Sequence, residues 1–218
     1  MKQVLGNQRG NVTVFVLTIF FFMTLIMFTL LYNMSTVFVD KEVAANSAQQ
    51  ASIAAVQIVY EEVEVAIKLY DASLSSWTNP VYISTLVGER LMALRASNPD
   101  WSESEVRYNA IDDVLDWAIP MYPALQAYIQ EGLVRAQGKI PGVVGGILDG
   151  NGATRSGSVI TFFDSDLRIT VETSARYESE TFGLEFLNSH TEQVKQSAQS
   201  RPIGFAGKMR WYRNQITL

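Results

Sequence analysis

An uncharged apolar stretch near the start of the chain constrains the fold more than any other feature of the sequence. Between Asn11 and Tyr32 no residue is charged, and residues 12–31 are Val, Leu, Ile, Phe and Met interrupted only by four threonines. As a helix this stretch would be roughly 33 Å long, enough to cross a hydrocarbon core about 30 Å thick. A threonine hydroxyl can bond a carbonyl one turn back in the helix, so the threonines are tolerated in lipid. The sequence therefore predicts a transmembrane helix over 11–32.

The charges beside this helix predict its orientation. Lys2 and Arg9 precede it, and the first acidic residue is Asp40. Because basic residues are retained on the cytoplasmic side, residues 1–10 are expected to be a basic cytoplasmic leader, with the C-terminal domain extracytoplasmic. A cleaved secretory signal would have an apolar core of about 7–15 residues closed by a small-x-small site. Here the first small pair, Ala44-Ala45, comes much later, so we expect a single-pass protein of the cell membrane with the lipid bilayer as a partner.

Charge is unevenly distributed along the chain. The formal net charge is −5, yet residues 40–131 hold fourteen acidic and five basic side chains, and nothing acidic follows Glu192. The basic side chains of the C-terminal tail are Lys195, Arg201, Lys208, Arg210 and Arg213. They either neutralise the acidic helices of the same chain or attract an anionic surface partner, such as a wall polymer, a lipid headgroup or an acidic subunit. A pI near 5.0 argues against nucleic acid as a partner.

The helical pattern continues past the membrane segment, over residues 33–78. No proline or glycine occurs from residue 33 to 75, and apolar or small residues recur at spacings of three and four, which form one stripe of a helix. The stripe is Ala44, Ala48, Ala51, Ala55, Ile58, Glu62, Val65 and Leu69. Its small upper half predicts either close packing against a neighbouring helical rod or a modest internal core, and the sequence leaves both open.

Further helices are predicted over 79–137. A proline-containing break precedes a helix from about 81 to 96, and Ser102 with Glu105 forms a capping box that opens the next helix. Pro120 and Pro123 kink or divide this helix before 124–137. Five aromatic residues are expected to fill the space between these helices and a sheet, with a sugar-binding strip as the alternative. They are Trp101, Tyr108, Trp117, Tyr122 and Tyr128.

The pattern changes at residues 138–157, where seven glycines predict a flexible connector. Alternating residues then predict strands over 158–163 and 167–177, around a turn at Asp164-Ser165-Asp166. A third strand is expected over 182–186, residues 193–200 fit a strand or a short helix, and a last edge element over 203–216 completes the β region 158–218. The predicted fold is α+β and membrane-anchored: a long N-terminal helix, further helices and a small antiparallel sheet.

No constellation of residues predicts catalysis, a cofactor or a metal site. His190 is the single histidine and no serine lies in a G-x-S-x-G elbow, so a Ser-His-Asp triad is not expected. The chain has no cysteine, which removes thiol catalysis, thiolate metal sites and disulfides, so an exported domain must rely on its apolar core. The adjacent carboxylates Glu61/Glu62 and Asp112/Asp113 are expected to be solvated charge. We therefore predict that the protein is not an enzyme.

The opening of the chain resembles a known family. The run Gln8-Arg9-Gly10-Asn11-Val12-Thr13-Val14-Phe15, the apolar helix and the alanine-rich segment 43–51 are similar to the TadE/TadG-like proteins of tight-adherence (Flp-type) pilus machines. Those proteins begin with a short basic leader, an Arg-Gly pair and a Val-rich start to one membrane helix, followed by an Ala-rich continuation. The resemblance covers roughly residues 8–60 and implies a pilin-like arrangement. It assigns membrane-anchoring and helix-packing roles to Arg9, Gly10, Val14 and Phe15, together with Ala44, Ala48, Ala51 and Ala55.

One position departs from the family pattern. Members that are processed like prepilins carry a glutamate where this chain has Phe15, five residues past the scissile glycine. A glutamate at that depth in the membrane is costly unless it is paired. Its absence argues against cleavage after Gly10 and points to the unprocessed, TadG-like side of the group.

These features favour a non-enzymatic subunit of a pilus or related secretion apparatus. Such a subunit would act in assembly or anchoring through its helix, with other subunits of the apparatus as partners. A membrane-anchored sensor or cell-wall-binding module is the alternative, based on the acidic helices, the basic tail and the aromatic residues. A membrane-tethered hydrolase that uses carboxylates is a third hypothesis.

Overall fold

The computed structural model describes residues 8–74, 81–183, 188–209 and 214–218, which form four helices followed by four strands. The helices are α1 (Gln8–Ser73), α2 (Ile83–Ser97), α3 (Glu103–Met121) and α4 (Pro123–Gly150). The strands are β1 (Thr154–Phe162), β2 (Thr170–Glu178), β3 (Thr191–Gln199) and β4 (Asn214–Thr217), with a 3-10 turn at Gly204–Lys208. The predicted fold class, one long N-terminal helix with further helices and then an antiparallel sheet, is confirmed.

Helix α1 is continuous over 66 residues, which corresponds to a length of about 99 Å. No glycine or proline occurs between residues 11 and 74, so nothing in the sequence interrupts its hydrogen-bond ladder. The hydroxyls of Thr18, Thr24 and Thr29 each donate to the carbonyl oxygen four residues earlier, at 2.8, 2.9 and 3.0 Å. Each of these three hydroxyls therefore has its hydrogen bond within the helix, as predicted for a segment in lipid.

The starts of α2 and α3 are capped by different means. Asp71 of α1 accepts hydrogen bonds from the backbone N–H groups of Ile83 at 2.9 Å and Ser84 at 2.8 Å, so the end of one helix caps the start of the next. In α3 the predicted capping box is present: Ser102 Oγ accepts from the Glu105 N–H at 3.3 Å, and Glu105 accepts from the Ser102 N–H at 2.9 Å. The proline pair divides α3 from α4, as predicted.

The flexible connector predicted over 138–157 is wrong, because α4 continues to Gly150 and β1 begins at Thr154. A glycine in a helix interior costs about 1 kcal/mol relative to alanine. Ile140, Val144 and Leu148, spaced one turn apart, are fully buried. Burying such a side chain contributes about 1.5–3 kcal/mol, so the apolar face of α4 outweighs its glycines.

The four strands form one antiparallel sheet in the order β3-β2-β1-β4. Strands β2 and β3 pair from Thr170↔Gln199 to Glu178↔Thr191, so the segment that fitted either a strand or a short helix is a strand. The edge element expected over 203–216 is a strand only at its end, where β4 pairs with β1, whereas Gly204–Lys208 form a 3-10 turn. The third strand expected over 182–186 is not formed at Phe182 and Gly183, which lie in a turn, and residues 184–187 lie outside the described residues.

The rest of the protein, here called the head (α2–α4 and the sheet), packs along the second half of α1. Gln50 and Asn151 are hydrogen-bonded at 2.9 Å, and the rings of Tyr70 and Tyr128 lie 5.9 Å apart, so α4 runs antiparallel to α1. Strands β2 and β3 also contact α1. One core therefore lies between α1, α4 and the sheet. Its largest fully buried side chains are Tyr60, Phe162, Phe205, Ile83, Ile111, Leu115, Leu125, Ile129, Leu133, Ile140, Leu148 and Ile160.

The five aromatic residues predicted to fill the core divide into two groups. Tyr108, Tyr122 and Tyr128 are partly buried and pack against the core, as predicted. Trp101 and Trp117 are exposed, so the prediction is wrong for both indoles. The space between helices and sheet is filled instead by the buried side chains given above, most of them aliphatic.

Candidate functional site

The first half of α1 presents an apolar surface that the head leaves largely bare. We call residues 12–39 the stem. Its large side chains are mostly exposed, including the predicted anchor residues Val14 and Phe15. Arg9 and Gly10 lie in the first turns of the helix, outside the part whose side chains are described. Among the described residues, α1 is the one helix long and apolar enough to cross a membrane. It fits a single-pass membrane anchor, because apolar surface of this extent is favourable in lipid and not in water.

The four alanines of the predicted stripe are buried within the chain itself. Ala44, Ala48, Ala51 and Ala55 are each 0 % exposed, on the part of α1 that packs against the sheet and α4. Ala51 and Ala55 belong to the same core cluster as the strand residue Val171. Of the two interpretations that the sequence left open, the structure favours the internal core. Small side chains here let the sheet approach the helix backbone closely.

Glu62, the one acidic residue of the stripe, is buried between α1 and α4. Its carboxylate accepts from Arg135 Nε at 2.8 Å and from Lys139 Nζ at 2.5 Å, and its side chain is only 8 % exposed. These two hydrogen bonds, that of Lys139 first, hold the pKa of Glu62 below its ordinary value. The prediction of solvated charge is therefore wrong for Glu62, because α4 supplies two cations, whereas Glu61 is exposed as predicted.

Asp112 organises a second buried cluster where α1, α3 and the segment after β3 meet. The Tyr60 hydroxyl donates to the carboxylate, 2.9 and 2.8 Å from its two oxygens, and Arg201 Nη2 donates to Oδ2 at 3.2 Å. The Phe205 N–H approaches Oδ1 at 3.5 Å. At Gly204 an added Cβ would lie 3.1 Å from the Asp112 Cγ, so a side chain at this position would crowd the carboxylate. The cluster joins three elements that are distant in sequence.

Two stacked aromatic rings and the guanidinium that binds this carboxylate form one cluster. The Tyr60 and Tyr108 rings stack with centres 4.1 Å apart, and the Arg201 guanidinium lies 5.8 and 5.5 Å from those centres. Burial raises the pKa of the Tyr60 hydroxyl, and the nearby Asp112 charge raises it further. Burial also raises the pKa of Asp112, against the opposing effects of the Tyr60 hydrogen bond and of Arg201. The prediction of solvated charge is thus wrong for Asp112, whereas Asp113 is exposed.

A common signal marks the two carboxylates that sequence reasoning missed. Glu62 lies one turn from the buried Val59 and Ala66 of α1. Asp112 follows the buried Ile111 and precedes the buried Leu115 by one turn. An acidic residue on the buried face of an amphipathic helix requires a partner, since an unpaired buried charge is expensive. The position of an acidic residue on the buried face of its helix therefore indicates a buried ion pair, whereas a second carboxylate next to it does not.

Two basic residues of the tail form ion pairs with acidic residues of the same chain. Arg201 pairs with Asp112 at 3.2 Å, and Lys208 pairs with Asp116 at 3.2 Å. Both acids belong to α3, so these contacts favour the interpretation in which the tail neutralises the acidic helices. Arg210 and Arg213 lie outside the described residues.

The polar clusters have the geometry of structural supports. Among the described residues, no group of three or more His, Cys, Asp or Glu side chains is placed to hold a metal ion. His190 is at the surface, where its Nε2 lies 3.8 Å from Glu192. Asp164 accepts from the backbone N–H groups of Asp166 at 2.9 Å and Arg168 at 3.0 Å, which confirms that it stabilises the predicted turn.

Together these features define a class: an α+β protein with one long N-terminal helix. The first half of this helix, the stem, is apolar and exposed, and the head packs against the second half. Residues 10–57 match the Tad family of Flp pilus-assembly TadE/G-like proteins, which confirms the predicted TadE/TadG-like resemblance over that segment. The match spans the stem and the buried alanines. No curated protein and no solved structure matches the chain.

Proposed function

We propose that this protein is a non-enzymatic structural or accessory subunit of a Tad/Flp-type pilus or a related secretion apparatus. It acts in assembly or anchoring of the apparatus through its stem. The observation that carries the proposal is the family match over residues 10–57, because this segment includes nearly all of the exposed apolar surface of α1. The N-terminus lies in the cytoplasm and the head outside it, as the basic residues Lys2 and Arg9 favour.

The exposure pattern of α1 supports contacts with other subunits within the membrane. Helices in lipid associate by van der Waals packing of complementary surfaces. The buried alanines are occupied by the head, so the surface open to a neighbouring helix is that of large side chains such as Phe15, Phe22 and Met23. Packing with other subunits is therefore assigned to the stem.

The polar clusters support a structural role and not a catalytic one. Glu62 binds two cations of α4, and Asp112 binds Tyr60 and Arg201. The Glu62 and Asp112 side chains are only 8 % and 12 % exposed, and their hydrogen bonds go to groups of the same chain, so little of either carboxylate is left to act on a substrate.

Cross-linking from single cysteines tests the proposal in the native membrane. Because the chain has no cysteine, Phe15→Cys and Met23→Cys each introduce one thiol on the stem, and Met92→Cys introduces one on an exposed position of α2. We expect a thiol-reactive photo-cross-linker to join other subunits of the apparatus to residues 15 and 23 but not to residue 92. We also expect deletion of the gene to abolish pilus assembly or secretion. Normal assembly in the deletion strain, with no subunit captured from the stem, would refute the proposal.

A further inference from the structure

The connection between β2 and β3 reaches back along α1 to the top of the stem. Asn33 Nδ2 donates to the Glu180 carbonyl oxygen at 2.9 Å, and the Glu180 N–H donates to Asn33 Oδ1 at 2.8 Å. This reciprocal pair holds the start of the connection against the helix immediately after Tyr32, where the predicted transmembrane segment ends.

Phe182 continues this contact below Asn33. Its ring centre lies 5.1 Å from that of Tyr32 and 5.9 Å from that of Phe28. The backbone has positive φ angles at two successive residues, 50° at Phe182 and 78° at Gly183. A bulky side chain rarely adopts this left-handed conformation. The turn therefore retains a disfavoured conformation at the residue that contacts the stem, as is common where a local geometry has a function.

Some residues of the stem are buried inside the predicted transmembrane segment, on the N-terminal side of Tyr32. Thr29 is 1 % exposed, and Leu25 and Ile26 are partly buried, although their neighbours on the stem are exposed. At 1.5 Å per residue, Leu25 lies about 10 Å below Tyr32 along the axis. One side of α1 is therefore shielded from lipid within the outer part of the apolar segment.

We propose that the β2–β3 connection, at residues 179–183, is immersed in the membrane–water interface and gives the head a second contact with lipid. The proposal rests on the stem spanning a bilayer. Tyrosine is enriched at this interface because its ring is amphipathic, and Phe182 lies against Tyr32 as well as Phe28 and remains half exposed. The apolar Phe182 ring is therefore placed to enter lipid beside an interfacial tyrosine. The flanking charges Glu178 and Glu180 are acidic and exposed, so the partner is a zwitterionic phospholipid interface and not an anionic headgroup cluster. With two lipid contacts, the tilt of the head relative to the membrane is restricted.

Depth-dependent fluorescence quenching tests this inference on the full-length protein in phosphatidylcholine vesicles. Thr181→Cys, Phe21→Cys and Ser104→Cys each place one thiol in the cysteine-free chain, and each thiol is labelled with an environment-sensitive fluorophore. Residue 181 is next to Phe182, so the aromatic ring under test is kept. Residue 21 lies in the middle of the predicted transmembrane segment. Ser104 lies in the head beside Gln57, roughly 35 Å along the axis from Tyr32. The quencher is a lipid with a nitroxide near the headgroup end of its acyl chain, and a second lipid carries the nitroxide deeper.

We expect the label at residue 181 to lose most of its fluorescence with the shallow quencher and much less with the deep one. The label at residue 21 should respond most to the deep quencher, and the label at residue 104 to neither. The loss at residue 181 should persist in high salt, because it does not depend on charge.

Two results would overturn the inference, and they are distinguishable from failure of the anchor. A label at residue 181 that behaves like the one at residue 104, while residue 21 is quenched, would show that the anchor is in lipid but the connection is not. Quenching at residue 181 that disappears in high salt would show attraction by charge instead of aromatic immersion. A label at residue 21 that neither lipid quenches would refute the membrane-spanning stem itself, and the inference with it.

Discussion

Removing the charge of Glu62 is expected to weaken the α1–α4 contact without changing its shape. The substitution Glu62→Gln keeps the length of the side chain but replaces a carboxylate that binds Arg135 Nε at 2.8 Å and Lys139 Nζ at 2.5 Å. A matched control is available one residue earlier. Glu61→Gln makes the same chemical change at an exposed position whose carboxylate accepts a hydrogen bond from Gln57.

The expected loss in the free energy of unfolding depends on how exposed each member of the ion pair is to water. Breaking a fully buried ion pair costs about 3–5 kcal/mol, whereas an exposed pair contributes about 0–1 kcal/mol. The Glu62 side chain is 8 % exposed, but Arg135 is 35 % and Lys139 63 % exposed, so both cations can be partly hydrated once the charge is gone. We therefore expect Glu62→Gln to lower the free energy of unfolding by about 2 kcal/mol, a factor of roughly 30 in the folded-to-unfolded ratio. Glu61→Gln should change it by less than about 0.5 kcal/mol.

The pH dependence gives a second, independent readout. The pKa of Glu62 is lower in the folded than in the unfolded protein, so its contribution to stability is present above the unfolded pKa and is lost as the pH falls through the folded pKa. The stability difference between wild type and Glu62→Gln should therefore shrink toward zero below pH about 4.

Melting of the full-length protein in mild detergent, followed by circular dichroism between neutral and acidic pH, measures both effects. At neutral pH the Glu62→Gln melting temperature should fall by about 4–8 °C. Equal effects of the two substitutions at neutral pH would refute the buried ion pair. A difference between wild type and Glu62→Gln that stays constant down to acidic pH would refute its assignment to the Glu62 charge.

Four further substitutions test the packing of α4 and the cap of α2. Gly132→Ala should destabilise the protein by about 1–3 kcal/mol, because its Cβ would lie 2.9 Å from the Glu62 carbonyl oxygen, whereas at Gly138 a Cβ meets nothing within 4 Å. Gly138→Ala should therefore stabilise α4 by about 0.5–1 kcal/mol. Melting temperatures that shift in the same direction for both variants would contradict the packing of α4 on α1. Asp71→Ala should cost about 1–2 kcal/mol by removing the cap of α2. Asp71→Asn keeps one of the two accepting oxygens and should recover only part of this loss; limited proteolysis within α2 reports the difference, and equal cleavage of the two variants would argue against the cap.

Features that depend on neighbouring residues were predictable from the sequence. The stem follows from an uncharged, mainly apolar run, the start of α3 from the pairing of Ser102 with Glu105, and the α3–α4 boundary from two prolines. Strands β1 and β2 follow from alternation, although their observed bounds differ from the predicted ones. In each case the physical cause acts within a few residues, so the pattern is visible along the chain.

Features that depend on distant partners were not predictable in the same way. Glu62 is neutralised by cations 73 and 77 residues further along the chain, and Asp112 by an arginine 89 residues away. The glycines of 138–150 predicted a connector because their local preference is against helix, and the buried contacts that compensate for them come from α1 and the sheet. Which surface packs on the alanine stripe could likewise be learned only from the structure, because a stripe of small side chains can pack against a sheet or against a helix.

The continuity of α1 has a mechanical consequence. A continuous helix, fixed to the head by ion pairs and close packing, has no hinge at which to kink under load. Where the stem spans a bilayer, as proposed, tension or torque on the head would therefore tilt or rotate the whole helix, including its far end.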